Sequence, residues 1–207
     1  MNRTEGAAPC ADELAIERLI RRWIVFRDNG QWDELRQIWH PDGQMVAGWR
    51  AGTADEFLAA SKAGWAKGLS VTHELGAIAV SIAGDRAISQ NKMQITVGGE
   101  LAGVPCASST MSRHLDRWEK RDGLWGLVNR ETIYDRDHLY PLRPGDAIAV
   151  DNTLWQSFPA AYRGIGYLMT NMGFTVSTEV PVLRSEAERQ RIAEAHEWLQ
   201  ERDSQVP

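Results

Sequence analysis

Cysteine is scarce in this chain of 207 residues. Cys10 and Cys106 stand apart, without the spacing of a disulfide framework or a Cys/His metal site, so neither is expected. Long apolar runs are also missing. No stretch has the length of a membrane span, and the opening MNRTEGAAPC has no apolar signal core. Basic runs are absent too. The balance is mildly acidic, net −5 with 25% charged residues, which argues against nucleic acid as a partner. The expectation is a soluble, cytoplasmic protein that binds neither membrane nor nucleic acid. The Gly-containing stretch RGIGYL (Arg163 to Leu168) sits inside a helical pattern and is not a phosphate loop. Tryptophan, by contrast, is plentiful: nine residues, which suit either a core or a pocket for flat ligands.

One stretch organises the rest. Ser70 to Ile82, SVTHELGAIAVSI, alternates like a strand and carries His73. Side chains of a strand alternate faces, so His73 shares a face with Val71, Leu75, Ala77 and Ala79, and Ile78, Val80 and Ile82 take the other. An imidazole on an apolar face is either a satisfied core histidine or a base at the floor of a pocket.

Before this strand the chain reads as helix. Residues 1–10 form a loose tail. From Asp12 a helix carries Ile16, Leu19, Ile20, Trp23 and Phe26 on one stripe and stops at Asn29-Gly30. A short helix is expected from Gln31 to His40, a turn at Pro41-Asp42-Gly43, and a short strand from Gln44 to Arg50. Thr53-Ala54-Asp55-Glu56 is a capping box that opens a third helix. Four strands follow, over residues 70–82, 86–97, 107–118 and 124–134, with turns at Gly84-Asp85 and Asp122-Gly123. Helices first and an antiparallel sheet after give an α+β fold, a cone-shaped curved sheet with the helices on one face and a ligand cavity beneath them. Past Pro144 the strand pattern ends. A helix is expected from Pro159 to Met172 with Gly173 as its stop, and a last one after the capping box at Ser185, with Ile192, Ala195, His196 and Leu199 on one face. The organisation is thus an α+β domain over residues 11–140 and a helical extension over 141–207. The extension covers the cavity mouth or clasps a second subunit, with Phe158, Tyr162 and Ile165 facing inward.

Three phrases carry a family resemblance: FRDNGQWDELRQIWHPDGQM at the first helix end, THELGAIAV, and the closing hairpin RWEKRDGLWGLVNRETIY. With them, residues 12–140 resemble a SnoaL-like member of the nuclear transport factor 2-like superfamily. The spacing is nearest to scytalone dehydratase and hexachlorocyclohexane dehydrochlorinase, both of which remove a proton with an Asp–His pair and use no metal or organic cofactor. The resemblance places the aspartate ten residues before Ile38-Trp39, at Asp28. It places the histidine at His73, and a pocket arginine five residues after Trp125, at Arg130. The surroundings differ. Arg113 stands near where the dehydratase has a second histidine, Arg27 where it has a tyrosine, and Trp23 where the dehydrochlorinase has a lysine.

The resemblance therefore implies a cofactor-independent lyase acting on a small aromatic or phenolic hydroxylated molecule, by dehydration or by retro-aldol release of an aldehyde. His73 would be the base and Asp28 its orienting partner. Arg130 would stabilise an oxyanion. Arg113, Tyr134, Asn91 and Trp23 would bind substrate. For each arginine the plainer alternative is an internal ion pair with Glu74, Asp116 or Glu131. His114, on the face opposite Arg113, is read as pointing outward, and His40 as shaping a turn. Asp135, Asp137 and His138 read as a solvated loop rather than metal ligands. A homodimer or homotrimer is expected. The competing class is a non-catalytic ligand-binding or assembly domain of the same fold, such as the small subunit of ring-hydroxylating dioxygenases.

Overall fold

The computed structural model describes residues 11–201; the tail over residues 1–10, with Cys10, lies outside them. Helix α1 (Ala11–Asp28) buries Ile16, Ile20, Trp23 and Arg27, a row that repeats with the helical turn. It ends at Gly30, whose φ of 68° is the left-handed conformation that stops helices at low steric cost. Helix α2 (Trp32–Arg36) is shorter than its periodicity implies. By Trp39 the chain is already in strand β1 (Trp39–Ala47), which runs through Pro41-Asp42-Gly43 with a register shift instead of turning there. Proline has no N–H for a helix, and Ile38 and Trp39 are both buried in the core, so extended pairing wins. Strand β2 (Arg50–Thr53) pairs with β1 and leads into α3 (Ala54–Ala66), opened by the reciprocal Thr53–Glu56 capping box.

The long strands β3 (Ser70–Ala83), β4 (Arg86–Leu101), β5 (Val104–Arg121) and β6 (Leu124–Pro141) form an antiparallel meander. β1 joins β6 in parallel, giving the order β2-β1-β6-β5-β4-β3. The fold is α+β, as its residue pattern implies. Three corrections concern faces. The β3–β4 register shifts between Leu75 and Ile78, so Ile78, Val80 and Ile82 turn to the same side as Leu75 and pack against the α1 core. Ala77 and Ala79 are exposed. The β5–β6 register shifts in the same way between Met111 and Ser112, which lets β6 continue through the expected loop; Asp135, Asp137 and His138 are strand residues.

The third correction lies in the extension. A short helix α4 (Asn152–Ser157) precedes a 3₁₀ turn at Ala160–Tyr162, and α5 (Arg163–Asn171) follows where one helix from Pro159 is expected. Phe158, Tyr162, Ile165 and Leu168 pack with Val97, Leu101, Cys106 and Tyr134 over the concave face. Asp137 fixes the start of α5 by accepting the Ile165 N–H at 2.8 Å. Helix α6 (Glu186–Gln200) lies on the other face, with Ala195 and Leu199 against Ile88, Leu115 and Ile133. His196 is exposed and Trp198 takes the packed position instead. Helices therefore cover both faces of the sheet, not one. Among the described residues no helix is long and apolar enough to cross a membrane.

Candidate active site

The concave face, α1 and α5 enclose a cavity of about 50 Å³. Its wall is mainly apolar, with Trp23, Trp49, Phe57, Ile95, Ile165 and Met169 among its lining; its polar side chains are Arg27, His73, His114, Thr132 and Tyr134.

Asp28 is the last residue of α1, and β3 passes directly behind it. Both its oxygens are used by one residue. Oδ1 lies 2.6 Å from His73 Nδ1, and Oδ2 accepts the His73 backbone N–H at 2.7 Å. A carboxylate fixed this way holds the imidazole with its proton on Nδ1 and leaves Nε2 as the acceptor. Burial lowers the His73 pKa from its ordinary 6.5 more than the hydrogen bond and charge of Asp28 raise it, and Arg27 and Arg130 lower it further. The ring is therefore a neutral base at neutral pH. Trp23 meets it edge-on, with centroids 5.4 Å apart.

His114 is the cavity residue that strand alternation misassigns. It is buried, lines the cavity, and meets Trp23 edge-on at 5.7 Å. Burial, with the charge of Arg130 and the neighbouring His73, holds its pKa well below the usual value. It belongs to a row of alternate polar residues, Ser108, Thr110, Ser112, His114 and Asp116, all of them buried. Such a row ordinarily reads as a solvent face. Here α6 buries the opposite face, so the polar row turns to the concave side. Arg113 accordingly points away from the cavity, under α6, where Gln90, Asp135 and Glu188 surround it.

Arg130 does not line the cavity either. It is fully buried behind Trp23, with its guanidinium 4.4 Å from the ring centroid. Nε and Nη2 each donate to Asp116 at 2.7 Å, a bidentate pair between residues directly opposite on β5 and β6. Asn91 is buried beside it and donates to the same carboxylate at 2.6 Å, so it positions Asp116 and not a ligand. Trp23 and Tyr134 do line the cavity. Tyr134 accepts the Gly48 N–H at 3.0 Å, and burial pushes its pKa up to about 12, so it keeps its proton. The Tyr162 hydroxyl fills the space beside Gly48. A Cβ there would stand 2.3 Å from that hydroxyl. Gly48→Ala is expected to destabilise the fold by about 1–3 kcal/mol, read by thermal unfolding.

His40 bonds the Glu119 carbonyl at 2.9 Å and is structural. Among the described residues no group of three or more His, Cys, Asp or Glu side chains could hold a metal ion.

The helices on the curved sheet are the architecture of a known family. A profile described as a SnoaL-like domain matches residues 8–131, and the chain belongs to that family. Pea pathogenicity protein 2 of Fusarium vanettenii is 30% identical over 179 residues, covering 82% of this chain and 77% of that protein. Solved structures share the fold. The type-3 hexachlorocyclohexane dehydrochlorinase of Novosphingobium barchaimii aligns over 68% of this chain and 96% of its own, with 18% identity and a TM-score of 0.55. A Novosphingobium aromaticivorans protein provisionally assigned as a scytalone dehydratase aligns over 66% and 95%, with 18% identity and a TM-score of 0.53.

Proposed function

We propose that the protein is a lyase that uses His73 as a general base, held by Asp28, on a small hydroxylated aromatic or phenolic substrate. The carrying observation is the 2.6 Å contact between His73 Nδ1 and Asp28 Oδ1 at the wall of an apolar cavity. Nε2 takes a proton from carbon or from a hydroxyl. The imidazolium that forms is stabilised by the carboxylate on its other side. In a dehydration the proton then passes to the leaving hydroxyl. In a retro-aldol cleavage the deprotonated hydroxyl becomes the carbonyl of the released aldehyde as the carbon–carbon bond breaks. The electron pair of that bond passes into the conjugated remainder of the substrate as an enolate- or quinone-methide-derived anion, and the proton held on Nε2 is returned to that carbon. The Tyr134 hydroxyl and the neutral His114 are the cavity groups able to meet oxygen where charge develops. The dyad supplies base strength without a Lewis acid.

The cavity is about a third of the roughly 150 Å³ that admits benzene. A ring-sized substrate enters only when part of the wall yields. Ile165 and Met169 of α5 form part of that wall, with Trp23 and Arg27 of α1 and Phe57 of α3.

Product analysis of the purified protein against a panel of hydroxylated phenolics, without added cofactor, tests the reaction class. Formation of a dehydrated product or an aldehyde supports it, provided His73→Ala abolishes that product. Conversion that persists in His73→Ala, or none across the panel, contradicts it.

The pH dependence has a definite sign. The folded-state pKa values of His73 and His114 lie below the ordinary value. The unfolded chain therefore binds more protons as pH falls through and below 6.5. Their contribution to stability is fully present above that pH and is lost on acidification. The acid limb of kcat/KM should fall below pH 6.5 as His73 protonates, checked by a pH–rate profile beside a pH series of urea midpoints.

A further inference from the structure

Arg27 is the charged residue of the cavity that the dyad does not explain. It ends the buried row of α1, is only 4% exposed, and lines the cavity. Its guanidinium lies 5.7 Å from the Trp32 ring centroid. It makes no hydrogen bond and no ion pair with any described residue, whereas Arg130 is locked to Asp116 and Arg113 to Glu188 and Gln90. Asp28 stands next to it in sequence and its charge raises the Arg27 pKa against the lowering by burial, but the Asp28 oxygens bond His73 and make no hydrogen bond to the guanidinium. The other titratable groups lining the cavity are His73 and His114, both held neutral by burial, and Tyr134, which keeps its proton. No lining residue is acidic. The charge of Asp28, stacking on one indole and the carbonyl end of α1 offset part of the cost of the buried charge, but the N–H donors of the guanidinium still lack an acceptor.

We infer that Arg27 is a substrate anchor and that the substrate carries a carboxylate, held by Arg27 while His73 acts on the adjoining part of the molecule. The inference deepens the proposed function and names its substrate class. A carboxylate fits better than a phosphate. A planar guanidinium matches it through two parallel hydrogen bonds, one positive charge balances one negative charge, and the small cavity offers no second cation for a dianion.

The test is binding to the full-length protein by calorimetry, with paired probes that differ in charge and hardly in shape: benzoate against benzamide, and butyrate against butyramide. The wild type should bind the acid of at least one pair about 10- to 100-fold more tightly than its amide. Arg27→Met should abolish that preference, and Arg27→Lys, which keeps charge but loses the fork, should keep only part of it. His73→Asn, whose amide N–H can stand where Nδ1–H did and keep Asp28 engaged while Nε2 is removed, should keep the preference, so a failed catalytic reading and a failed anchor give different results. Equal binding of acid and amide by the wild type, binding of neither acid, or a preference that survives in folded Arg27→Met overturns the inference. If Arg27→Met does not fold, the wild-type pairs and Arg27→Lys still decide it: a Lys variant with the full wild-type preference counts against the planar fork.

Discussion

His73→Ala is expected to stay folded and lose about 10²–10⁴-fold in turnover, the usual share of a general base. The ring makes one side-chain hydrogen bond, to Asp28, and otherwise faces Trp23 and the cavity. Truncation therefore enlarges an existing void and opens no new one in the close-packed α1 core. Asp28→Asn should cost a comparable factor, because an amide keeps the shape while losing the negative charge that stabilises the imidazolium and sets the tautomer. The losses should not multiply in the double variant, since the two residues act as one unit. Thermal midpoint and turnover, measured on the same samples, separate catalysis from packing. A packing histidine would lose stability in His73→Gln and keep its rate per folded molecule.

Asp116→Ala is expected to have the largest effect on stability, about 3–5 kcal/mol. Asp116 and Arg130 are both completely buried. Asp116 accepts two hydrogen bonds from Arg130, one from Asn91 and a longer one from Ser89 at 3.3 Å. Deleting the carboxylate strands a guanidinium without a partner or access to water, and that uncompensated charge is the main penalty. The double variant Asp116→Ala/Arg130→Met should regain much of the loss, because it removes the stranded charge as well. Urea unfolding of the single and double variants measures both numbers. A single variant within 1 kcal/mol of wild type would show that Arg130 finds another partner.

The first and third helices and the order of the long strands were legible because each rests on a local signal: the row Ile16, Ile20, Trp23 on α1, the capping box at Thr53, the turn at Asp122-Gly123. The pairing of Asp28 with His73 was legible only through the family resemblance. What alternation could not supply was which face of a strand looks inward. That depends on α6, which docks from far along the chain and gives Leu115 and Ile133 an apolar cover of their own. With both faces buried, polar against apolar no longer means outside against inside. His114 was read outward for that reason, and Arg113 toward the cavity; Arg130 forms the internal ion pair with Asp116 that was its plainer alternative. The bulges near Gly76 and Asp135 reverse the faces partway along β3 and β6, and neither carries a strong turn signal. The position of Arg27 near the centre of the apolar stripe of α1 was visible in the sequence, but its meaning needed the cavity.

His73 should stand in the cavity as a neutral base, protonated on Nδ1 toward Asp28 and bare on Nε2. Nitrogen NMR of protein labelled at histidine, with the His73 signals assigned by their loss in His73→Gln, reads this directly and requires no substrate. At pH 7 the spectra should show a protonated Nδ1 and an unprotonated Nε2, titrating together below pH 6.5. A proton on Nε2 at pH 7, whether as the other neutral tautomer or as an imidazolium, would contradict it.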